Sequence, residues 1–210
     1  MNYRNWSKFY LVAAILMAAL YLLTVVVRNH YLNAVVTLVS TACGTVAFIG
    51  LNEHSRRKPA GQRLDVLINV VNTLGLVSTV SLCLTQFVES PQHVSQALAG
   101  GDIHQLSTAY YIFMLIYILT APFYILFEVI LFFRIRSKWP GGRDLMQLYF
   151  VLTGLLVIVV GIGIGVTDDL AGGLDLYLSI AYIPYYFFYY FIASHYCARR
   201  ANMHKLKSKN

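Results

Sequence analysis

Glu128 is the one acidic side chain set well inside a long apolar run, Ala109 to Phe133. It precedes Arg134 by six residues, about 9 Å along a helix at 1.5 Å per residue. An intramembrane carboxylate is costly and so is a candidate functional group, and the plainer alternative is that it reaches back to the interface or pairs with Arg134 or Lys138. Pro122, in Thr120-Ala121-Pro122-Phe123, leaves a backbone carbonyl without its helical donor and is expected to kink the same run.

A second group is aromatic. Tyr182-Ile183-Pro184-Tyr185-Tyr186-Phe187-Phe188-Tyr189 places Tyr182, Tyr185, Tyr186 and Tyr189 at three- and four-residue spacing, which aligns their hydroxyls along one helical face. Buried phenols need hydrogen-bond partners, and their ring faces suit a flat ring or an organic cation through stacking and cation–π contact. The plainer role for the same residues is interhelical hydrogen bonding. Asn69 and Asn72 supply matching groups: each carboxamide offers two donors and two acceptor lone pairs, and they lie on a stripe with Asp65, Thr73, Thr79, Cys83 and Gln86 that is expected to face the bundle interior. A further stripe of Asn33, Thr37, Ser40, Thr41, Gly44, Thr45 and Asn52 reads as helix packing.

Other patterns resolve into structure. Gly161-Ile162-Gly163-Ile164-Gly165 lacks the preceding strand and aqueous setting of a dinucleotide loop, and Gly161 with Gly165 forms a small-residue packing face. None of the histidines lies centrally in an apolar run, and no H-E-x-x-H, G-x-S-x-G or P-loop is present, so no catalytic residue, cofactor or metal ligand is assigned. Cys43, Cys83 and Cys197 fall in three different predicted helices, Cys197 just past the last run, without C-x-x-C spacing, and read as small packing residues.

The elements that carry these residues follow from composition. Of 210 residues, 58% are hydrophobic and 12% charged, about half the charged share of a soluble domain. A membrane span takes about 20 apolar residues. Six runs qualify: Phe9 to Val27, Tyr31 to Leu51, Leu64 to Val88, Ala109 to Phe133, Leu148 to Val166 and Leu176 to Tyr196. They leave no room for a separate soluble domain. The expected fold is an all-α polytopic bundle of six transmembrane helices over residues 1–197, followed by a basic tail over residues 198–210. The first run lacks a small-residue cleavage site and is expected to remain as a helix.

With the N-terminus cytoplasmic and every run crossing, all Lys and Arg except Arg28 fall on the cytoplasmic side, which predicts that both termini face the cytoplasm. The net charge of +7 is then explained by topology and anionic lipid headgroups, and no nucleic-acid partner is expected. Glu89, Asp102, Asp168, Asp169 and Asp175 make the opposite face acidic. In the loop after the third run, Ser90 caps, Pro91 suits a first helical position, and Gly100-Gly101 stop a short surface helix over Gln92 to Ala99.

In size and helix count the chain resembles the substrate-binding subunits of energy-coupling-factor importers, and Ala14-Ile15-Leu16-Met17-Ala18 is similar to their alanine-spaced docking pattern in the first helix. The short connection Arg28-Asn29-His30 departs from the longer one of that family. The resemblance implies a small-molecule importer subunit. The residues themselves point to a plasma-membrane (inner-membrane) protein that binds or transports a small molecule between the third, fourth and sixth runs, through Glu128, Asn69, Asn72, Tyr182, Tyr185, Tyr186 and Tyr189. Two alternatives use the same stripes. One is a noncatalytic accessory, immunity or regulatory protein bound to a membrane protein partner, and the other is a membrane enzyme acting on lipid or isoprenoid substrates.

Overall fold

The computed structural model describes residues 3–27, 29–101 and 103–139, and beyond these residues 147, 150, 151, 154, 155, 158, 162, 183, 187, 190, 191, 193, 194, 197 and 198. The described residues are all-helical. In chain order the helices are α1 (Tyr3–Val27), α2 (His30–Arg56), α3 (Asp65–Val88), α4 (Pro91–Gly100) and α5 (Thr108–Lys138), with single 3-10 turns at Ala60–Gln62 and Ile103–Gln105.

Four of these segments are long and apolar enough to cross a membrane: Arg4–Val27, His30–Arg56, Ala60–Val88 and Thr108–Lys138. At 1.5 Å per residue, a helix the length of α3 covers about 36 Å, more than the roughly 30 Å hydrocarbon layer. The fifth and sixth runs fall mostly outside the described residues, although Phe150, Val151, Leu155, Ile158 and Ile162 are each helical and exposed.

Local signals account for the helix ends. Asn29 caps α2, its side chain accepting from the backbone N–H groups of Tyr31 and Leu32. Ser90 caps α4 by accepting from His93 N at 3.2 Å, and Gly101 follows in the left-handed region at φ +73°, so the short surface helix forms where its cap and stop residues place it. α5 runs through Pro122 as one helix, and Thr120 Oγ1 donates to the Ile116 carbonyl at 2.7 Å in the turn beside it.

Two apolar clusters hold the bundle. In the first, Ala13, Ala14, Met17 and Tyr21 of α1 pack with Val36 and Ala47 of α2 and with Tyr190 and Cys197 of the last run. Tyr10 stacks on Tyr190 at 6.3 Å between centroids, and Ser194 Oγ donates to the Ser7 carbonyl at 2.8 Å. In the second, Leu64, Ile68 and Val71 pack with Leu131, Ile135 and Trp139. Leu115, Ile118, Leu119, Phe123 and Leu126 stay exposed on α5, as a lipid-facing surface requires.

Candidate functional site

α3 and α5 lie antiparallel, and their register is set where the Tyr124 ring covers Gly75. A Cβ on Gly75 would fall 2.9 Å from Tyr124 Cε2, so only glycine lets the ring approach this closely. The same register continues through Val71, Ile68 and Leu64 against Leu131, Ile135 and Trp139. Asn72 lies one turn from Gly75 on α3, as Glu128 lies one turn from Tyr124 on α5.

Glu128 is half-buried and accepts a hydrogen bond from the Tyr124 hydroxyl at 2.9 Å. The bond runs within one turn of α5, and the ring that supplies it is held in place by α3. Asn72 is likewise half-buried. One turn along α3, Asn69 Oδ1 accepts from Asn52 Nδ2 of α2 at 2.7 Å, a side-chain bridge between the two helices. Asn52 Oδ1 is buried and has no hydrogen-bond partner among the described residues. A buried acceptor without a donor costs free energy until a ligand, ion or water satisfies it.

Of the expected site residues, Asn69 pairs with Asn52 of α2, Glu128 pairs with Tyr124 of its own helix, and Asn72 is half-buried on α3; Asn52 and Tyr124 are the residues the structure adds. Tyr124 had no signal of its own in the sequence; its i, i+4 spacing to Glu128 is the feature that could have revealed it. The expectation that the α3 stripe faces wholly inward needs correction, because Asn69 and Thr73 are exposed. The cause is that α5 packs on the apolar and glycine side of α3, through Ile68, Val71 and Gly75, which turns Asn69 toward the flank next to α2. Tyr182, Tyr185, Tyr186 and Tyr189 lie outside the described residues. The described residues of their run join α1 and α2 in the first apolar cluster, with Ile183 and Phe187 packed at its edge.

The small-residue stripe of α2 behaves as packing and self-capping. Thr37 and Thr41 donate to the carbonyls of Asn33 and Thr37, each at 2.8 Å, and nothing lies within 4 Å of a Cβ built on Gly44. The close approach on α2 occurs instead at Gly50, under the Trp6 indole.

The far end of α3 carries a second polar arrangement. Glu89 Oε2 lies 2.6 Å from His93 Nδ1, and Glu89 Oε1 accepts from Ser107 N at 3.0 Å. These bonds tie the end of α3 to α4 and to the start of α5. They hold the Glu89 carboxyl below its ordinary value, with the His93 hydrogen bond the largest cause and the Ser107 backbone next.

Among the described residues, no three His, Cys, Asp or Glu side chains come together as metal ligands would. No protein-family model matches the chain, and neither a curated protein nor a solved structure matches it at a significant level, so the likeness to importer subunits rests on size and alanine spacing alone.

Proposed function

We propose that this multi-pass protein binds a small cationic or donor-rich molecule at the α2–α3–α5 seam, with Glu128 as its counter-charge and Asn52, Asn69 and Asn72 as polar ligands, and that this binding serves transport across the plasma (inner) membrane. The full bundle in this reading has six spans with both termini cytoplasmic, as the sorting of Lys and Arg supports. The tyrosine face of the last run, Tyr182, Tyr185, Tyr186 and Tyr189, closes the pocket in the same reading.

The observation that carries the proposal is the Glu128 carboxylate inside an apolar helix, oriented by a phenol that is itself fixed by helix contact. A ligand-dependent thermal-shift screen on the purified chain tests it. A soluble organic cation that raises the melting temperature of the wild type but not of Glu128→Gln supports the site, and a screen without such a compound removes its support. Topology is tested by impermeant thiol labelling of Gln96→Cys, expected to react in intact cells, and of Lys207→Cys, expected not to.

A second reading is favoured by one observation. Asn69 is exposed at a level where the neighbouring side chain Val66 faces outward, so the Asn52–Asn69 pair is also a handle for a partner helix. In that reading the chain is a noncatalytic accessory or regulatory subunit. Co-purification of a membrane protein that is lost on Asn69→Leu, with no small-molecule response, would decide for it.

A further inference from the structure

The loop between α2 and α3 is held by contacts that draw two basic segments to one edge of the bundle. Leu64 N donates to Ser55 Oγ at 2.6 Å, and Arg63 Nε donates to the Lys58 carbonyl at 3.3 Å. From 77 residues away, Trp139 Nε1 donates to the Gln62 carbonyl at 2.9 Å. Lys58 Nζ sits 5.9 Å from the centre of the Trp139 ring, within cation–π range. The loop is thereby fastened to the end of α5. Arg56, Arg57 and Arg63 from the loop side and Arg134 and Arg136 from the last turns of α5 are all exposed at this end of the bundle, with the acids Glu53 and Asp65.

The level of these guanidinium groups selects their partner. Val66, 74% exposed, lies within one turn of Arg63, and the exposed Ile130 and Phe133 run directly into Arg134. The apolar girdle therefore gives way to arginine within a single turn on both helices. In a membrane-spanning bundle the level at which the apolar girdle ends is that of the lipid headgroups. The edge is built mainly from Arg, whose planar fork binds phosphate in bidentate fashion and is more weakly hydrated than an ammonium group.

We propose that this edge is a docking surface for anionic phospholipid headgroups, with Arg56, Arg57, Arg63, Arg134 and Arg136 as phosphate ligands and the Trp139 clasp holding the two segments at fixed separation. The clasp distinguishes the surface from a diffuse positive face, since it makes the loop and α5 bind as one unit.

The test uses the full chain purified in neutral detergent, with lipid retention read by native mass spectrometry and stability by thermal shift. Phosphatidylglycerol is expected to bind and raise the melting temperature, while phosphatidylcholine with the same acyl chains and inorganic phosphate are not. Arg134→Gln with Arg136→Gln should weaken phosphatidylglycerol retention by about fivefold per arginine at low ionic strength. Should that variant fail to fold, the wild type is measured at about 1 M salt, where the screening length is about 3 Å and the preference must collapse. Equal binding of the two lipids, or a phosphatidylglycerol preference unmoved by the substitutions or by salt, overturns the proposal. A matching response to inorganic phosphate also overturns it, in favour of a free-anion site.

Discussion

Tyr124 and Glu128 stand one turn apart on α5, and the phenol donates to the carboxylate at 2.9 Å while its ring lies on the bare backbone of Gly75. The orientation of an acid within a long apolar helix is thus tied to how closely two helices approach. A change at either end of this chain of contacts alters the middle.

Glu128→Gln keeps an oxygen for the Tyr124 hydroxyl and nearly the same shape. It is expected to stay within about 1 kcal/mol of the wild type, whereas Tyr124→Phe leaves the half-buried carboxyl without this donor and is expected to cost about 1–3 kcal/mol. Reversible unfolding in mixed micelles measures both. Greater damage from Glu128→Gln would mean that the carboxylate serves the fold first.

Gly75→Ala places a methyl group 2.9 Å from the Tyr124 ring, and the ring edge must move away from α3. A loss of about 1–3 kcal/mol is expected, as for other overpacked cores. Gly44→Ala meets open space and is expected to be neutral or to gain up to about 1 kcal/mol from helix propensity. Thermal melts of the pair check the contrast, and equal effects would remove the assigned role of Gly75.

Ser55 is fully buried and its Oγ accepts the Leu64 N–H at 2.6 Å. Ser55→Ala leaves that amide without its acceptor, and a loss of about 1–3 kcal/mol is expected. Hydrogen exchange at the Leu64 amide should accelerate in step. An unchanged exchange rate would show that the loop closes without this bond.

The Glu89 carboxyl is held below its ordinary value of 4.5, so its bonds to His93 and Ser107 contribute stability that is full above that pH and is lost as pH falls through the lowered value. The Ser107 amide is expected to be protected at neutral pH and to lose protection in acid below pH 4.5, after correction for the intrinsic rate. Glu89→Gln should remove the pH dependence. Protection that persists in acid would assign the amide another acceptor.

The helices were legible because hydropathy and end signals are local. The run from Leu64 to Val88 nearly coincides with α3, and Asn29, Ser90 and Gly101 act where their types suggest. The site was legible only in part. Glu128, Asn69 and Asn72 stand out by being polar in apolar runs, yet the exposure of Asn69 depends on which side of α3 receives α5, and periodicity along one helix does not contain that choice. Gly50 and Gly75 look no different from Gly44 in the sequence. What separates them is an aromatic ring arriving from elsewhere in the chain, Trp6 in one case and Tyr124 in the other.

The Trp139–Gln62 bond also carries a consequence for biosynthesis. Its two ends are 77 residues apart, so at roughly 5–20 residues per second the ribosome delivers Trp139 about 4–15 s after Gln62. α3 is itself synthesised within that interval, and until α5 follows it the Gln62 carbonyl lacks its indole donor and Lys58 its ring. The turn between α2 and α3 is therefore completed only when the end of α5 arrives.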